Sequence, residues 1–317
     1  MRPDDRVYRR TQKVNEMNYP KVSIVMTAFN SGGVVRRTLN SLLELDYPSD
    51  YEIIVINNGS KDGTKDLLEK EFSKNKKIRL IHFKENQGVC KGRNAGIKIA
   101  KFEILVNMDH DCIASKSWLK GLMGGFDSPN VGVVTSYGGF GGTSTAFRTA
   151  ALKKLGGYDE DYFYFREDTD IAFKFIEAGY EFKNVKADYV HDHQEAKPKN
   201  FLELIKYAWQ RINYRKNDVL LFKKHPRLAT PFLHIKYGFL VNPKYDMSVV
   251  LGGWWEKDTG KKDGKKLSGI TSPRGFTLIS GSSFFHRIMI YLIAFFYMLV
   301  LKFRRLIASV QFGKLLI

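Results

Sequence analysis

Four short apolar runs dominate the first third of the chain, and each ends in polar or glycine-rich residues. They cover residues 22–27, 52–56, 78–83 and 103–108, and segments with helical spacing separate them. Near-continuous apolar runs of this length are typical of strands buried on both faces, and their alternation with helices predicts a parallel α/β sheet. Ligands of such sheets bind beyond the carboxyl ends of the strands. We therefore expect a site among the polar residues that follow each run.

The pattern becomes less regular after residue 112, where turn residues and helical segments alternate without a fixed period. Four glycines between residues 138 and 142 predict a flexible or tightly turned loop that a substrate could approach closely, and Gly141 and Gly142 are its candidate contacts. The further predicted elements are strands over 131–136 and 182–190 and helices over 34–45, 64–72, 94–100, 118–126, 168–178 and 201–222.

Composition excludes several classes of protein. The 317 residues are 44% hydrophobic and 26% charged, which excludes a disordered tail protein and a small disulfide-stapled domain. The two cysteines, Cys90 and Cys112, provide no disulfide framework and no cysteine-based zinc site, so a reducing cytosol is the expected compartment. Residues 1–13 are charged and have no apolar core, which does not match a secretory signal.

The formal net charge of +18 is distributed unevenly along the chain. Residues 1–196 contain 29 Lys/Arg and 27 Asp/Glu, a net charge of +2. Residues 197–317 contain 22 Lys/Arg and 6 Asp/Glu, a net charge of +16. A nearly neutral module with a strongly basic extension predicts an anionic partner, which could be a membrane surface, a nucleic acid or a phosphorylated substrate.

Asp109 and Asp111 flank a single residue at the end of the fourth apolar run. In an extended backbone their side chains would point to the same side. Two carboxylates placed together repel each other unless a cation lies between them, and oxygen ligands completed by substrate phosphates are typical of Mg²⁺ or Mn²⁺ sites. The alternative is an acidic turn with solvated side chains.

A second acidic cluster consists of Glu167, Asp168 and Asp170, directly before an apolar helix face. Acidic residues in a first helical turn are favoured by the helix dipole, which is a purely structural explanation. The functional alternative is a general base, a carboxylate at the end of a cleft that takes a proton from a hydroxyl group.

His191 and His193 follow the predicted strand over 182–190 and are separated by one residue. A lone histidine most often has a structural role, whereas two histidines at this spacing can ligate a metal ion. The spacing alone therefore leaves both a metal-binding and a structural role open for each histidine.

Seven short motifs occur in order between residues 20 and 195. They are VSIVMTAFN (22–30), EIIVINNGSKDGT (52–64), ENQG (85–88) with RNAG (93–96), DHD (109–111), AFR (146–148), GGYDE (156–160) and ED (167–168). Their order and spacing resemble those of the family 2 glycosyltransferases of the GT-A fold. The expected fold class is therefore α/β, a GT-A type, Rossmann-like nucleotide-sugar-binding domain with a basic, partly helical C-terminal extension.

The resemblance implies roles for individual residues. Asp109 and Asp111 match the family's metal and diphosphate motif, which implies Mn²⁺ or Mg²⁺ as the cofactor. Asp168 matches the catalytic base, and Glu167 stands beside it. The implied reaction is inverting transfer of a hexosyl or deoxyhexosyl group from a nucleotide-diphosphate sugar to an acceptor hydroxyl. The positions where the family lines the nucleotide pocket are Asn30, Asn58, Asp62 and Arg93.

Asn57 and Asn58 depart from the family pattern, which usually has aspartate at one or both positions. An asparagine can accept a hydrogen bond through its carbonyl and also donate through its amide, so both residues stay candidates for contacting the nucleotide base. The departure leaves the identity of the donor open. It is also the one feature that favours the alternative function, a non-catalytic protein of the same fold that binds nucleotide sugars or a lipid surface.

The basic extension carries aromatic residues and, at 288–301, an uncharged apolar run of 14 residues. As a helix this run is roughly 21 Å long, shorter than a bilayer core of roughly 30 Å. It could lie in the membrane interface, span the membrane with Arg287 reaching the surface, or pack inside the protein. A nucleic-acid partner would not explain the apolar run, so no nucleic acid is expected.

These observations predict four regions and a location. They are a polar segment over 1–19, a glycosyltransferase domain over 20–195, a basic extension over 196–275 and an apolar, basic helical tail over 276–317. The basic flank of the tail predicts the cytoplasmic face of the cell membrane, peripherally bound or anchored by residues 276–301. A lipid-linked or growing polysaccharide acceptor suits such an enzyme.

Overall fold

A computed structural model describes residues 19–192, 200–250 and 284–317 of the chain. Three features of the sequence therefore lie outside the described residues. They are most of the polar segment over 1–19, His193, and the stretch 251–283 with its charged segment 256–266.

The described chain forms eleven strands and eleven helices. The strands are β1 (Val22–Ala28), β2 (Tyr51–Asn58), β3 (Ile78–Phe83), β4 (Ile104–Asn107), β5 (Cys112–Ala114), β6 (Val131–Thr135), β7 (Thr145–Arg148), β8 (Glu181–Asn184), β9 (Tyr189–His191), β10 (Ile235–Lys236) and β11 (Leu240–Val241). The helices are α1 (Val35–Leu43), α2 (Thr64–Phe72), α3 (Val89–Ile99), α4 (Trp118–Met123), α5 (Thr149–Lys154), α6 (Glu167–Glu177), α7 (Phe201–Tyr214), α8 (Lys216–Lys224), α9 (Pro226–Phe232), α10 (Pro243–Val250) and α11 (Phe284–Phe312).

Seven strands form the central sheet in the order β3-β2-β1-β4-β7-β6-β8. The first four in this order are parallel to their neighbours, and β7 runs antiparallel between β4 and β6. The register pairs Ala28 with Asn57 and Val25 with Asn107. The carboxyl ends of β1, β2 and β4 therefore meet at one edge, where the sequence predicts a site.

The sheet is covered on both faces, which explains the near-continuous apolar strands. Ile24 and Met26 of β1 face a core formed with α1, α2 and α4, whereas Val25 faces a second core formed with α3, α5 and α6. Helix α3 lies unusually close to β1, because a Cβ atom on Gly96 would stand 2.4 Å from Val25 Cγ1. The glycine lets α3 bring Arg93 to the carboxyl edge of the sheet.

Two predicted elements are divided in the structure. The strand expected over 182–190 becomes β8 and β9, because β8 pairs with β6 while β9 pairs antiparallel with β5. The helix expected over 201–222 breaks at Arg215, whose N–H donates to Ile212 O. In addition, α3 begins at Val89, five residues earlier than the sequence predicts.

The C-terminal helices pack on α6 and form a third core. Val219 and Leu221 of α8 share this core with Phe173 of α6 and Ala308 of α11. Helix α11 extends over 29 residues and packs on α8 and α10. Across the three described ranges, no helix combines the length and apolar content needed to cross a lipid bilayer.

Candidate functional site

Arg93 lies at the centre of a cluster of carboxylates at the carboxyl edge of the sheet. Its Nη1 donates to Asp168 Oδ1 at 2.6 Å and lies 3.7 Å from Glu167 Oε1, while its Nη2 lies 3.5 Å from Asp109 Oδ1. The guanidinium carbon stands 5.0 Å from the centre of the Tyr158 ring. One buried cation, 5% exposed, thus gathers three of the residues that the sequence predicts for catalysis and metal binding.

Glu167 and Asp168 begin helix α6, yet their surroundings differ. The Glu167 side chain is 5% exposed and its Oε2 has no hydrogen-bond partner among the described residues, whereas the Asp168 side chain is 25% exposed. Burial and the neighbouring Asp168 charge raise the pKa of Glu167 to about 8. Burial also raises the pKa of Asp168, and the Arg93 charge opposes that rise. Asp168 is the carboxylate of the pair that an acceptor hydroxyl can reach.

Asp109 and Asp111 stand in a turn, so the extended backbone assumed from the sequence is wrong here. Strand β4 ends at Asn107, and the Cys112 N–H donates to Asp109 O at 3.3 Å, which closes the turn. Asp109 faces Arg93, and its own N–H donates to Thr143 Oγ1 at 2.9 Å. Asp111 instead faces His191. The two carboxylates therefore have different partners.

His191 and Asp111 form the candidate metal group within the ranges that the structure describes. Pairing of β5 with β9 sets Cys112 opposite His191, and His191 Nε2 lies 3.1 Å from Asp111 Oδ1. Ligand atoms of Asp111, Cys112 and His191 all lie within 4.8 Å of one another. Carboxylate oxygen suits Mg²⁺ and Mn²⁺, whereas a thiolate favours softer ions. Asp111 with His191 therefore fits the predicted cation, and Cys112 does not.

Asn57 and Asn58 use their amide groups inside the protein. Asn57 Oδ1 accepts from the Ser60 N–H at 3.3 Å, and its Nδ2 lies 3.2 Å from His82 Nδ1. Asn58 Nδ2 donates to Asn86 Oδ1 and to Gly88 O, and its Oδ1 accepts from the Gln87 N–H. Both side chains are buried. In this structure the pair shapes the loops after β2 and β3.

Asn30 and Asp62 connect the loop after β1 to the loop after β2. Asn30 Oδ1 accepts from the Lys61 N–H at 2.9 Å, and Asp62 Oδ2 accepts from the Gly32 N–H at 3.1 Å. Asp62 Oδ1 also accepts from the Thr64 N–H at 3.1 Å. Residues 28–33, 57–64 and 85–88 form the loops at the carboxyl ends of β1, β2 and β3. We call these loops the donor edge, after the nucleotide-sugar donor that the sequence predicts there. The hydrogen bonds of Asn30 and Asp62 connect two of these loops.

Gly141 and Gly142 lie in the loop between β6 and β7, beside the residues that hold Asp109. Both have positive φ, and a Cβ on Gly142 would stand 3.0 Å from the Tyr137 ring. The next residue, Thr143, accepts from the Asp109 N–H. The loop therefore borders the carboxylate cluster, and its positive φ values agree with the tightly turned loop that the glycine pattern predicts.

Sequence reasoning did not identify Tyr158 and Thr143 as parts of the site. Tyr158 lies against Arg93, and its backbone is held by Asn94, whose side chain donates to Tyr158 O and accepts from the Tyr158 N–H. The signal was present, since Asn94 belongs to the RNAG motif and Tyr158 to the GGYDE motif. Thr143 follows the glycine loop and carries no such signal.

Comparison with known proteins identifies the family of the domain that carries this site. Residues 23–193, more than half of the chain, match the family model described as glycosyl transferase family 2. The chain belongs to this family. The resemblance drawn from the seven motifs is thereby confirmed, and residues 23–193 are a domain of a glycosyltransferase family.

Relatives of this family 2 member cover only parts of its length. A glycosyltransferase of Haloferax volcanii, AglE, is 32% identical over 102 residues, 32% of this chain and 34% of that protein. A poly-beta-1,6-N-acetyl-D-glucosamine synthase of Staphylococcus epidermidis is 36% identical over 92 residues, 29% of this chain and 22% of that protein. The matches thus span about a third and about a fifth of these relatives.

The fold is shared with a solved structure over nearly the whole chain. The mannosyltransferase PcManGT from Pyrobaculum calidifontis, solved in complex with GDP-Man and Mn²⁺, aligns with a TM-score of 0.60 at 18% identity. The alignment covers 96% of this chain and 94% of that one. The predicted GT-A type α/β fold with a C-terminal helical part is confirmed.

Proposed function

We propose that this family 2 member transfers a sugar from a nucleoside-diphosphate sugar to the hydroxyl of a lipid-linked or glycan acceptor, with inversion at the anomeric carbon. The observation that carries the proposal is the meeting of Asp109, Glu167 and Asp168 around the buried Arg93. A base, a resident cation and a carboxylate that can share a divalent ion with the diphosphate, all at one sheet edge, are what such a transfer needs.

Asp168 acts as the general base in this proposal. It is the more exposed carboxylate of its pair, and Arg93 holds its Oδ1 in place. As the acceptor oxygen attacks the anomeric carbon, Asp168 takes its proton, and the nucleoside diphosphate leaves from the opposite face. One carboxylate base and no carboxylate nucleophile give inversion. Glu167, with its raised pKa, stays protonated at neutral pH and adds no second charge beside the base.

Asp111 and His191 would hold Mn²⁺ or Mg²⁺, with oxygens of the donor diphosphate completing the ligands. When bound, the cation neutralises charge that develops on the leaving diphosphate. Arg93 supplies a second, resident positive charge near the same place. The Mn²⁺ bound in the PcManGT complex supports this assignment.

The nucleotide would bind against the donor edge. Asn30 and Asp62 fix the spacing of the loops after β1 and β2, and Asn57 and Asn58 fix the loops after β2 and β3. Buried internal bonds explain the two asparagines as loop-shaping residues, which removes the sequence argument for a non-catalytic protein. PcManGT was solved with GDP-Man, a purine donor, so donors with either base class belong in the test.

Exposed apolar side chains on α7 and α11 support a membrane-surface location. On α11 the exposed large residues recur every three or four positions, and among them Phe296, Phe303 and Val310 are 65%, 61% and 84% exposed. Leu202, Ile205 and Trp209 of α7 are exposed as well. We call these two sets of residues the apolar stripe. Such a stripe in a segment of net charge +16 is typical of a helix pair that lies on anionic lipid.

The side of the membrane follows from the donor. Nucleotide sugars and the reducing compartment expected from two buried free cysteines favour the cytoplasmic face. A surface-bound enzyme at that face reaches acceptors that are anchored in the lipid, which is why a lipid-linked or growing polysaccharide acceptor is proposed over a soluble one.

The decisive experiment measures transfer with and without the base. The purified protein is incubated with Mn²⁺ or Mg²⁺, a panel of nucleotide sugars and a membrane-lipid extract, and release of nucleoside diphosphate is followed. Asp168→Asn should reduce transfer by roughly 10²–10⁴-fold while nucleotide affinity is largely retained, because the proton acceptor is lost but an amide oxygen remains to accept from Arg93. The matched control is Asp170→Asn, which neutralises a carboxylate two residues away that pairs with Lys174 and His225.

Three outcomes would contradict the proposal. Retained transfer by Asp168→Asn would refute the base assignment. Tight nucleotide binding without release from any donor would favour the non-catalytic binding protein. Removal of the divalent ion with a chelator should abolish transfer and be reversed by Mn²⁺, and transfer that survives chelation would refute the metal assignment.

A further inference from the structure

Two consecutive non-glycine residues with left-handed backbone stand directly before the carboxylate pair. Phe165 and Arg166 both have φ of +75°. Side chains disfavour this conformation, and it persists only where the surrounding structure holds it. Arg166 is also the residue that precedes the first turn of α6, and its carbonyl accepts from the Asp170 N–H at 2.8 Å. The direction in which Glu167 and Asp168 leave the turn therefore depends on whatever holds these two residues.

Helix α8 holds the turn through two neighbouring side chains. Asn217 Nδ2 donates to Tyr164 O at 2.9 Å and to Phe165 O at 2.8 Å. Asp218 Oδ1 accepts from Arg166 Nε at 2.8 Å. Asn217 and Asp218 are 1% and 0% exposed. Both bonds to the carbonyls and the bond to the guanidinium are thus shielded from water, where they are most effective.

Helix α11 holds Asp218 in turn. Arg305 donates from Nε and Nη2 to Asp218 Oδ2, at 3.1 and 2.8 Å, and from Nη1 to both oxygens of Asp246, at 2.8 and 2.9 Å. Arg305, Asp218 and Asp246 are all fully buried. A planar guanidinium can bridge two carboxylates in this way, and a lysine ammonium cannot reproduce the geometry.

We propose that Asn217, Asp218 and Arg305 are positioning residues that fix the Phe165–Arg166 turn and, through it, the reactive placement of Asp168. This inference rests on the proposed function of Asp168 as the base. It makes α11 a required part of the catalytic site, although Arg305 lies 87 residues after Asp218 and touches no proposed substrate contact among the described residues. The same helix that carries part of the apolar stripe would therefore also fix the position of Asp168.

The proposal separates chemistry from donor binding. The hydrogen bonds that shape the donor edge join residues 28–33, 57–64 and 85–88 to one another, and in the described part of the chain Asn217, Asp218 and Arg305 form no bond within that network. Displacement of the turn should consequently lower kcat by a larger factor than it changes the donor KM, since Arg93 bonds Asp168 and is itself proposed to act on the donor diphosphate. A small misplacement of a catalytic group reduces the rate on the order of 100-fold.

The test compares Asn217→Ala and Arg305→Lys with Ser309→Ala in the full-length chain. Ser309 is buried on the same face of α11 and bonds Arg305 O and Leu316, so its loss loosens the helix without removing a side-chain bond to the turn. The readouts are kcat, donor KM and amide hydrogen exchange of the peptide 162–170. Asn217→Ala removes no charge, so it remains informative if Arg305→Lys fails to fold.

The expected result is a kcat lowered on the order of 10- to 100-fold in both test variants, a donor KM changed by a smaller factor, and faster exchange in 162–170. Ser309→Ala should lower the melting temperature and leave kcat and this exchange unchanged. Adding Phe165→Gly to Asn217→Ala should recover kcat, because glycine adopts positive φ without steric cost. Recovery would tie the loss of kcat to the backbone of this turn, because Phe165→Gly restores none of the bonds of Asn217.

Amide hydrogen exchange of the peptide 162–170 tests the positioning of the turn even if the proposed function is wrong. If the wild-type chain transfers no sugar, faster exchange in the two test variants but not in Ser309→Ala would still support the positioning of the turn. The inference is overturned if exchange in 162–170 is unchanged in Asn217→Ala, or if Ser309→Ala lowers kcat as much as the test variants do.

Discussion

At the end of β2, Asn58 uses both N–H groups of its amide within the protein. They meet Asn86 Oδ1 at 3.0 Å and Gly88 O at 3.1 Å, two groups that accept but do not donate. An aspartate, which the family usually has in this pair of positions, would place acceptor against acceptor. The residue type therefore follows from the loop that it holds.

Asn58→Asp should destabilise the protein by roughly 1–3 kcal/mol and weaken donor binding, because a buried carboxylate would face two unpaired acceptors. Chemical denaturation and nucleotide titration measure the two effects. The control is Asn75→Asp, since Asn75 Oδ1 only accepts a bond, from the Lys77 N–H, and a carboxylate can do the same. Equal stability of the two variants would contradict this account of Asn58.

The charged residues of the candidate site could be predicted from sequence, but Tyr158, Thr143 and the arrangement of the whole could not. Motif order alone identified Arg93, Asp109 and Asp168, and the two aspartates lie 16 and 75 residues after the arginine that joins them. That Asp109 turns toward Arg93 and Asp111 toward His191 depends on the tertiary pairing of β5 with β9. Local spacing carries no information about such a pairing, so the extended D-x-D geometry was the wrong expectation.

At the scale of elements, the strands of the parallel sheet were predicted more accurately than the C-terminal helices. All eight residues of β2 are buried, so its sequence is a continuous apolar run whatever side chains pack against it. The break between α7 and α8 instead lets Asn217 and Asp218 reach Tyr164 and Arg166, which lie more than 50 residues away in the sequence. Helical spacing continues across the break, so the sequence pattern alone does not reveal it.

The junction between α8 and α9 contains a titratable contact with α6. His225 Nδ1 lies 2.7 Å from Glu177 Oε2, and its Nε2 lies 3.1 Å from Asp170 Oδ1. Burial opposes the charged imidazole, but the bonds to Asp170 and Glu177 outweigh burial and raise its pKa above 6.5. The protonated histidine therefore ties α9 to both ends of α6.

A pH-dependent stability follows from the raised pKa of His225. Because the folded protein holds the proton more tightly, the stabilisation is complete below pH 6.5 and is lost as the pH rises through the folded pKa. His225→Gln should cost roughly 1–3 kcal/mol at low pH and less at high pH. Urea unfolding of both proteins across pH 5.5 to 8.5 tests this, and a difference that does not vary with pH would rule out the charged contact.

At the scale of the whole molecule, the buried ion cluster and the apolar stripe lie on opposite faces of the same helix. Arg305, Ala308 and Ser309 of α11 face the protein, whereas Phe303 and Val310 face outward. Tyr297 of α11 donates to Ala208 O of α7 at 3.3 Å, so the two exposed faces adjoin. Binding of this surface to lipid would bring the catalytic domain to the membrane.

The stripe predicts binding to anionic vesicles that depends on apolar contact as well as charge. The wild-type chain should float with phosphatidylglycerol vesicles and less with phosphatidylcholine vesicles, and salt should weaken the binding only in part. Phe296→Asp with Phe303→Asp should reduce vesicle affinity on the order of 100-fold or more, because each buried phenylalanine contributes about 1.5–3 kcal/mol.

The control for that double variant is Asn40→Asp with Ser73→Asp, which adds the same charge at exposed positions on α1 and after α2. It should bind vesicles nearly as well as the wild type, since it leaves the stripe intact. An equal loss of vesicle affinity in the two double variants would show that net charge alone accounts for the binding. If the wild type binds neither kind of vesicle, the stripe is covered by protein instead. The proposal of a membrane-bound acceptor is then rejected as well.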